Sequence, residues 1–147
     1  MAPLKEQLLN EDIRPLLVRD CCTLIDQEVG RKRGLKGLAL KAAYKAVKTI
    51  RRGFVSGVVN ALLDEWVEEL ECFYAEFEEA DERDFASFVD RKRSLVAEAL
   101  LKVTDRRAQS TTHRTAAKLY NRQRPNAKTQ VEESVAGLGR VVAKHLN

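Results

Sequence analysis

The chain has 147 residues, enough for one domain that buries a core without metal or disulfide support. Apolar residues make up 44% and charged residues 33%, with a net charge of +4; this much apolar content excludes a disordered chain. No apolar run is long enough to span a bilayer, and the amino terminus lacks the basic and apolar regions of a secretory signal, so a cytoplasmic protein is expected and a membrane role is not.

Residues 1–12 read as a peripheral amino-terminal arm with a short amphipathic turn from Leu4 to Leu9. Asp12 is placed to cap a helix from about Ile13 to Gly30, with Pro15 in its first turn, where no intrahelical N–H is lost. Ile13, Leu16, Leu17, Cys21, Leu24 and Ile25 give it one apolar face. Arg31, Lys32 and Arg33 followed by Gly34 end it. A third helix is expected from Leu35 to Arg52, burying Leu35, Leu38, Ala39, Ala42, Ala46, Val47 and Ile50, and Gly53 closes it.

The strongest stripe is Val55, Val59, Leu62, Trp66, Leu70, Phe73 and Phe77, within a helix from Phe54 to Ala80 that is long enough to suggest a break near Leu63 and Asp64. Asp84 should cap a short helix carrying Phe85, Phe88 and Val89, and Ser94 the next, with Leu95, Val96, Ala99, Leu100 and Val103. The segment 107–122 is polar, with only Ala116, Ala117, Leu119 and Tyr120 to bury, and its helix is the least specified. Arg124, Pro125 and Asn126 read as a stop and restart before a last helix from about Lys128 to Leu146, built on Val131, Val135, Leu138 and Val142. No strand alternation, hairpin signal or fixed repeat competes. The fold expected is all-α, a single-domain irregular bundle of about six to eight helices.

Charge is segregated along the chain. Between Val29 and Leu63 there are nine cations and no acid; from Asp64 to Asp84 there are eleven acids and one cation; from Arg91 onward thirteen cations face four acids. Lys41, Lys45, Lys48 and Arg52 recur at spacings of four, three and four, which puts them on one helix face. With Arg31, Lys32, Arg33 and with Arg91, Lys92, Arg93, they are the candidate surface for a partner or a nucleic-acid backbone. The simpler alternative is a solvated face, or pairing of the basic stripe with the acidic stretch inside the fold. Basic and acidic surfaces on one chain also favour self-association.

Catalytic patterns are absent from the sequence. Glu65, Glu68, Glu69, Glu76 and Glu79 lack the Glu-x-x-His partners of a di-iron bundle, no Gly-x-Ser-x-Gly turn occurs, and the glycines match no phosphate-binding loop. Cys21, Cys22 and Cys72 are an odd count with an adjacent pair, which reads as buried thiols rather than a disulfide framework. The expectation is therefore a non-enzymatic helical interaction or scaffold protein that self-associates, with a sequence-independent nucleic-acid binder as the alternative. No cofactor or metal is expected.

Arg14-Pro15, the run GLKGLALKAAYKAVK from Gly34 to Lys48 and LLKVTDRRA from Leu100 to Ala108 together resemble a family of small bacterial all-helical proteins of unknown function. The resemblance spans nearly the whole chain. It implies a cytosolic helical protein and carries no catalytic residues across.

Overall fold

The computed structural model describes residues 2–147, which form seven helices and, among these residues, no strand. They are α1 (Leu4–Leu8), α2 (Arg14–Arg31), α3 (Gly34–Lys48), α4 (Phe54–Glu79), α5 (Phe85–Arg91), α6 (Arg93–Ser110) and α7 (Arg114–Lys144). The all-α, single-domain bundle expected from the helical spacing is what forms.

The core gathers at one end of the bundle. Leu63, Val67, Leu70, Phe73 and Tyr74 of α4 meet Phe85, Phe88 and Val89 of α5, Val96 of α6, and Val135 and Val142 of α7. Phe77 sits among these rings, edge-on to Phe85 and Phe88. The apolar stripe read along α4 is the one the helix buries, in whole or in half. The suspected break near Leu63 and Asp64 does not occur. Leu62 and Leu63 are both buried, and Arg14 holds Asp64 at 2.9 Å while also donating to Asn60, so α4 is tied to α2 across that point.

The amino-terminal segment is not a peripheral arm, although Met1 itself lies outside the described residues. Leu4 and Leu8 are fully buried in the core. Glu71 of α4 accepts hydrogen bonds from the Leu4 and Lys5 amides at 2.9 and 3.1 Å, supplying partners that the first turn of α1 would otherwise lack. Gln7 donates to the Tyr74 hydroxyl and accepts from the Asn147 amide, so α1 is held on α4 and Asn147 on α1.

Several local expectations are corrected. Asn10, not Asp12, organises the start of α2: its Oδ1 accepts from the Asp12 and Ile13 amides. Asp84 does cap α5, accepting from the Ser87 amide at 3.2 Å, but α6 begins at Arg93 without a side-chain cap from Ser94. The stop at Pro125 is absent, and α7 runs unbroken through it. The side chains on either side explain why. Tyr120 donates to Asp105 at 2.6 Å, Arg124 grips the same carboxylate at 2.8 and 3.1 Å, and Lys128 reaches Glu98 at 2.7 Å. Three successive turns of α7 are thus clamped on α6, and tertiary contact overrides a local helix breaker.

Leu16 (38% exposed) and Leu95 (58% exposed) lie outside the core that their spacing suggested. Cys72 is exposed rather than buried, while Cys21 and Cys22 are half-buried on α2; all three are free thiols. No described helix is long and apolar enough to cross a membrane.

Candidate functional site

Helix α3 carries the largest departure from the expected burial. Its inner side is Gly37, Leu40, Ala43, Tyr44 and Val47, the only fully buried member being Gly37. Leu35 is 86% exposed and Leu38 62% exposed, and Ala39 and Ala42 are also exposed. At about 100° per residue these four fall on one outward strip. Lys41 and Lys45 border it on one edge and Lys36 on the other. The helix is therefore apolar on both sides, and the sequence supports either choice of inward face. The weightier set of Leu40, Tyr44 and Val47 is the signal that favours the observed orientation.

The basic stripe is only partly realised. Lys41 is half-buried, while Lys45 and Lys48 are exposed. Lys48 lies 3.6 Å from Asp26 of α2 and 5.1 Å from the Tyr44 ring, which itself donates to Asp26. That hydrogen bond and burial push the Tyr44 hydroxyl upward from its ordinary range, burial being the larger cause. Arg52 is not on the helix at all: α3 ends at Lys48, and Arg52 sits in the turn before Gly53, which adopts φ 74°.

Arg31, Lys32, Arg33 and Lys36 converge at the α2–α3 corner. They rim an open groove of about 630 Å³ whose other wall is α7, with Asn126, Thr129, Gln130 and Glu133. Lys32 holds Glu133 across it at 3.0 Å, and Arg31 holds Glu28 of its own helix at 2.8 Å. Arg33, Lys36, Lys41, Lys45, Arg51 and Arg52 form no ion pair with any other described residue.

Arg91, Lys92 and Arg93 do not join this surface. They lie at the α5–α6 junction, paired with Glu82, Glu76 (3.1 Å) and Asp90 (4.0 Å). The acidic stretch finds its other partners on α6 and α2, with Lys102 at Glu69 (2.8 Å), Arg106 at Glu65 (3.3 Å) and Arg14 at Asp64. The first basic block pairs with α2 and α7 instead. Charge segregation in the sequence thus becomes two separate outcomes: four acids of α4 are met by Arg14, Lys92, Lys102 and Arg106, and six of the nine cations from Arg31 to Arg52 form no ion pair with another described residue.

No curated protein and no solved structure matches the chain. Its residues 4–146 match the model of DUF6918, described as a family of unknown function, and the chain belongs to that family.

Proposed function

We propose that this chain is a non-enzymatic interaction protein that associates with a second copy of itself through the outward face of α3. The observation that carries the reading is the apolar strip of Leu35 and Leu38, exposed to 86% and 62% and bordered by lysines without ion partners. An apolar centre with a charged rim is the anatomy of a contact surface. Pairing α3 against α3 would set lysines against lysines, so a symmetric contact is disfavoured. The chain carries a complementary patch in Leu16, 38% exposed, which follows the acidic turn of Glu11 and Asp12. Docking α3 on that patch is a head-to-tail contact, which extends into open chains unless the rotation closes a ring. A cytoplasmic setting, where free thiols persist, belongs to the same proposal.

Sedimentation velocity tests this between about 1 µM and about 1 mM, the range of weak association. A sedimentation coefficient that rises with concentration and falls with added salt is expected; a concentration-independent monomer overturns it. A second reading, sequence-independent nucleic-acid binding, is favoured by the six unpaired cations between Arg33 and Arg52. The leucines at the centre of the strip weigh against it, because a phosphate backbone offers them nothing to bury against. Fluorescence anisotropy of a mixed-sequence duplex separates the two: binding lost steeply with salt, and lost in Lys45→Glu but kept in Leu38→Ala, favours nucleic acid.

A further inference from the structure

The inner side of α3 packs on α2, α4 and α7 but leaves a half-open cleft between them. It roofs a hollow of about 420 Å³ whose other walls are the first half of α4, the end of α6 and the first half of α7. A second hollow of about 330 Å³ adjoins it and shares Ile25, Leu40, Thr104, Tyr120 and Gln123. Protein interiors are ordinarily close-packed, and spaces of this size belong to ligand sites. Val47, Val55, Val58, Trp66, Ala117 and Leu119 are only half-buried because they face this space rather than one another. The polar segment 107–122 forms part of the wall, with Thr111, Ala116 and Tyr120 lining it.

The charge of the wall is one-sided. No aspartate or glutamate lines the larger hollow, whereas Arg107 and His113 do, and both are exposed at its solvent edge. The His113 ring stands edge-on to Phe54 at 5.3 Å, and the Arg51 guanidinium lies over the same Phe54 ring, 5.5 Å from its centroid. Deeper in, the Trp66 Nε1 donates to the Leu100 carbonyl and the Tyr120 hydroxyl is held by Asp105 and Thr104. Gln123 Oε1 is buried without a hydrogen-bond partner, so the wall is not satisfied by itself.

We propose that the hollow binds a single-chain amphiphile with an anionic head, its alkyl chain between α3 and α7 and its head at Arg107 and His113. Apolar walls take the chain by the hydrophobic effect, and the Arg107 guanidinium at a mouth without acids selects the sign of the head. The inference concerns the inner side of α3 and stands or falls separately from association through its outer face.

Trp66 is the only tryptophan and lines the hollow, so its emission reports on occupancy. Dodecanoate, dodecanol and dodecyltrimethylammonium, each below its micellar concentration, are titrated into the full chain. A saturable change with dodecanoate is expected, with the cationic amphiphile at least about tenfold weaker. Arg107→Gln should weaken dodecanoate by about tenfold and leave dodecanol unchanged. Ala117→Phe, which fills the space, should abolish saturation by all three while far-ultraviolet circular dichroism stays helical. No saturable response to dodecanoate, equal binding of the cationic amphiphile, or undiminished binding by folded Ala117→Phe overturns the proposal. If Ala117→Phe fails to fold, the exposed Arg107→Gln decides, and unchanged dodecanoate affinity in that variant overturns it.

Discussion

Gly137 and Gly139 stand two residues apart on α7, and replacing each by alanine should move stability in opposite directions. Both are buried helical positions. Alanine is favoured over glycine in a helix interior by about 1 kcal/mol. A Cβ at Gly139 would lie 2.6 Å from the Ala86 Cα and 2.9 Å from Val89 Cγ2, so the α5 backbone itself is in the way. Relief requires α5 and α7 to separate, which loosens Ala86 and Val89 in the core. Overpacking of this kind costs about 1–3 kcal/mol, and a backbone obstacle belongs at the upper end, leaving a net loss of about 2 kcal/mol after the helical gain. For a chain of this length that is a fall in Tm of about 4–8 °C. A Cβ at Gly137 would come too close only to the Leu24 Cδ1, at 2.8 Å, the end of a half-buried side chain that can turn aside, while Arg140 Nη2 and Glu28 Oε2 stand at ordinary contact distances of 3.7 and 3.9 Å. Gly137→Ala should therefore be neutral or stabilising by up to about 1 kcal/mol. Urea unfolding of both variants gives the comparison directly. Equal free energies, or a Gly139→Ala protein as stable as the parent, would refute the close crossing of α5 and α7.

Pro125→Ala should stabilise the chain by about 1–3 kcal/mol, because it restores an N–H to the interior of a helix already held by Asp105 and Glu98; thermal unfolding checks it. Thiol labelling at neutral pH should find Cys72 fast and Cys21 slow until the chain is unfolded, since burial pushes the Cys21 thiol up to about 12 whereas Cys72 is exposed; peptide mapping after a timed pulse identifies the order. Asp20, Asp64 and Asp105 are held below the usual carboxylate range by hydrogen bonds from His145, Arg14 and Arg124 respectively. A depressed carboxylate contributes stability that is present above its unfolded value near about pH 4 and is lost as pH falls through the folded one. Tm should therefore decline below about pH 4, and less steeply in Asp105→Asn; an unchanged acid slope in that variant would remove Asp105 from the account.

Helical type was legible because α4, and α7 beyond Pro125, carry apolar stripes at helical spacing; the first half of α7 carries none and was the least specified. What the sequence left ambiguous has physical causes. On α3, leucine and alanine occupy both sides, so periodicity finds a helix without finding its inward face. At Pro125 the local preference is real, but Tyr120, Arg124 and Lys128 reach across to α6, and pairings 15 to 30 residues apart leave no local signature. The charge blocks were visible as runs. Which block neutralises which depended on packing: four acids of α4 meet Arg14, Lys92, Lys102 and Arg106, and Arg33, Lys36, Lys41, Lys45, Arg51 and Arg52 have no ion partner among the described residues. The hollow beneath α3 had only an indirect signal, in the scarcity of large apolar residues between Arg107 and Arg122.

Association through the outer strip of α3 is tested by sedimentation equilibrium of Leu35→Glu/Leu38→Glu beside the parent chain. Both leucines are exposed, so the double variant should keep its helicity and Tm. The parent is predicted to show a mass that rises with concentration, and the variant to remain monomeric throughout. Equal association of the two proteins, with the variant folded, would contradict the claim.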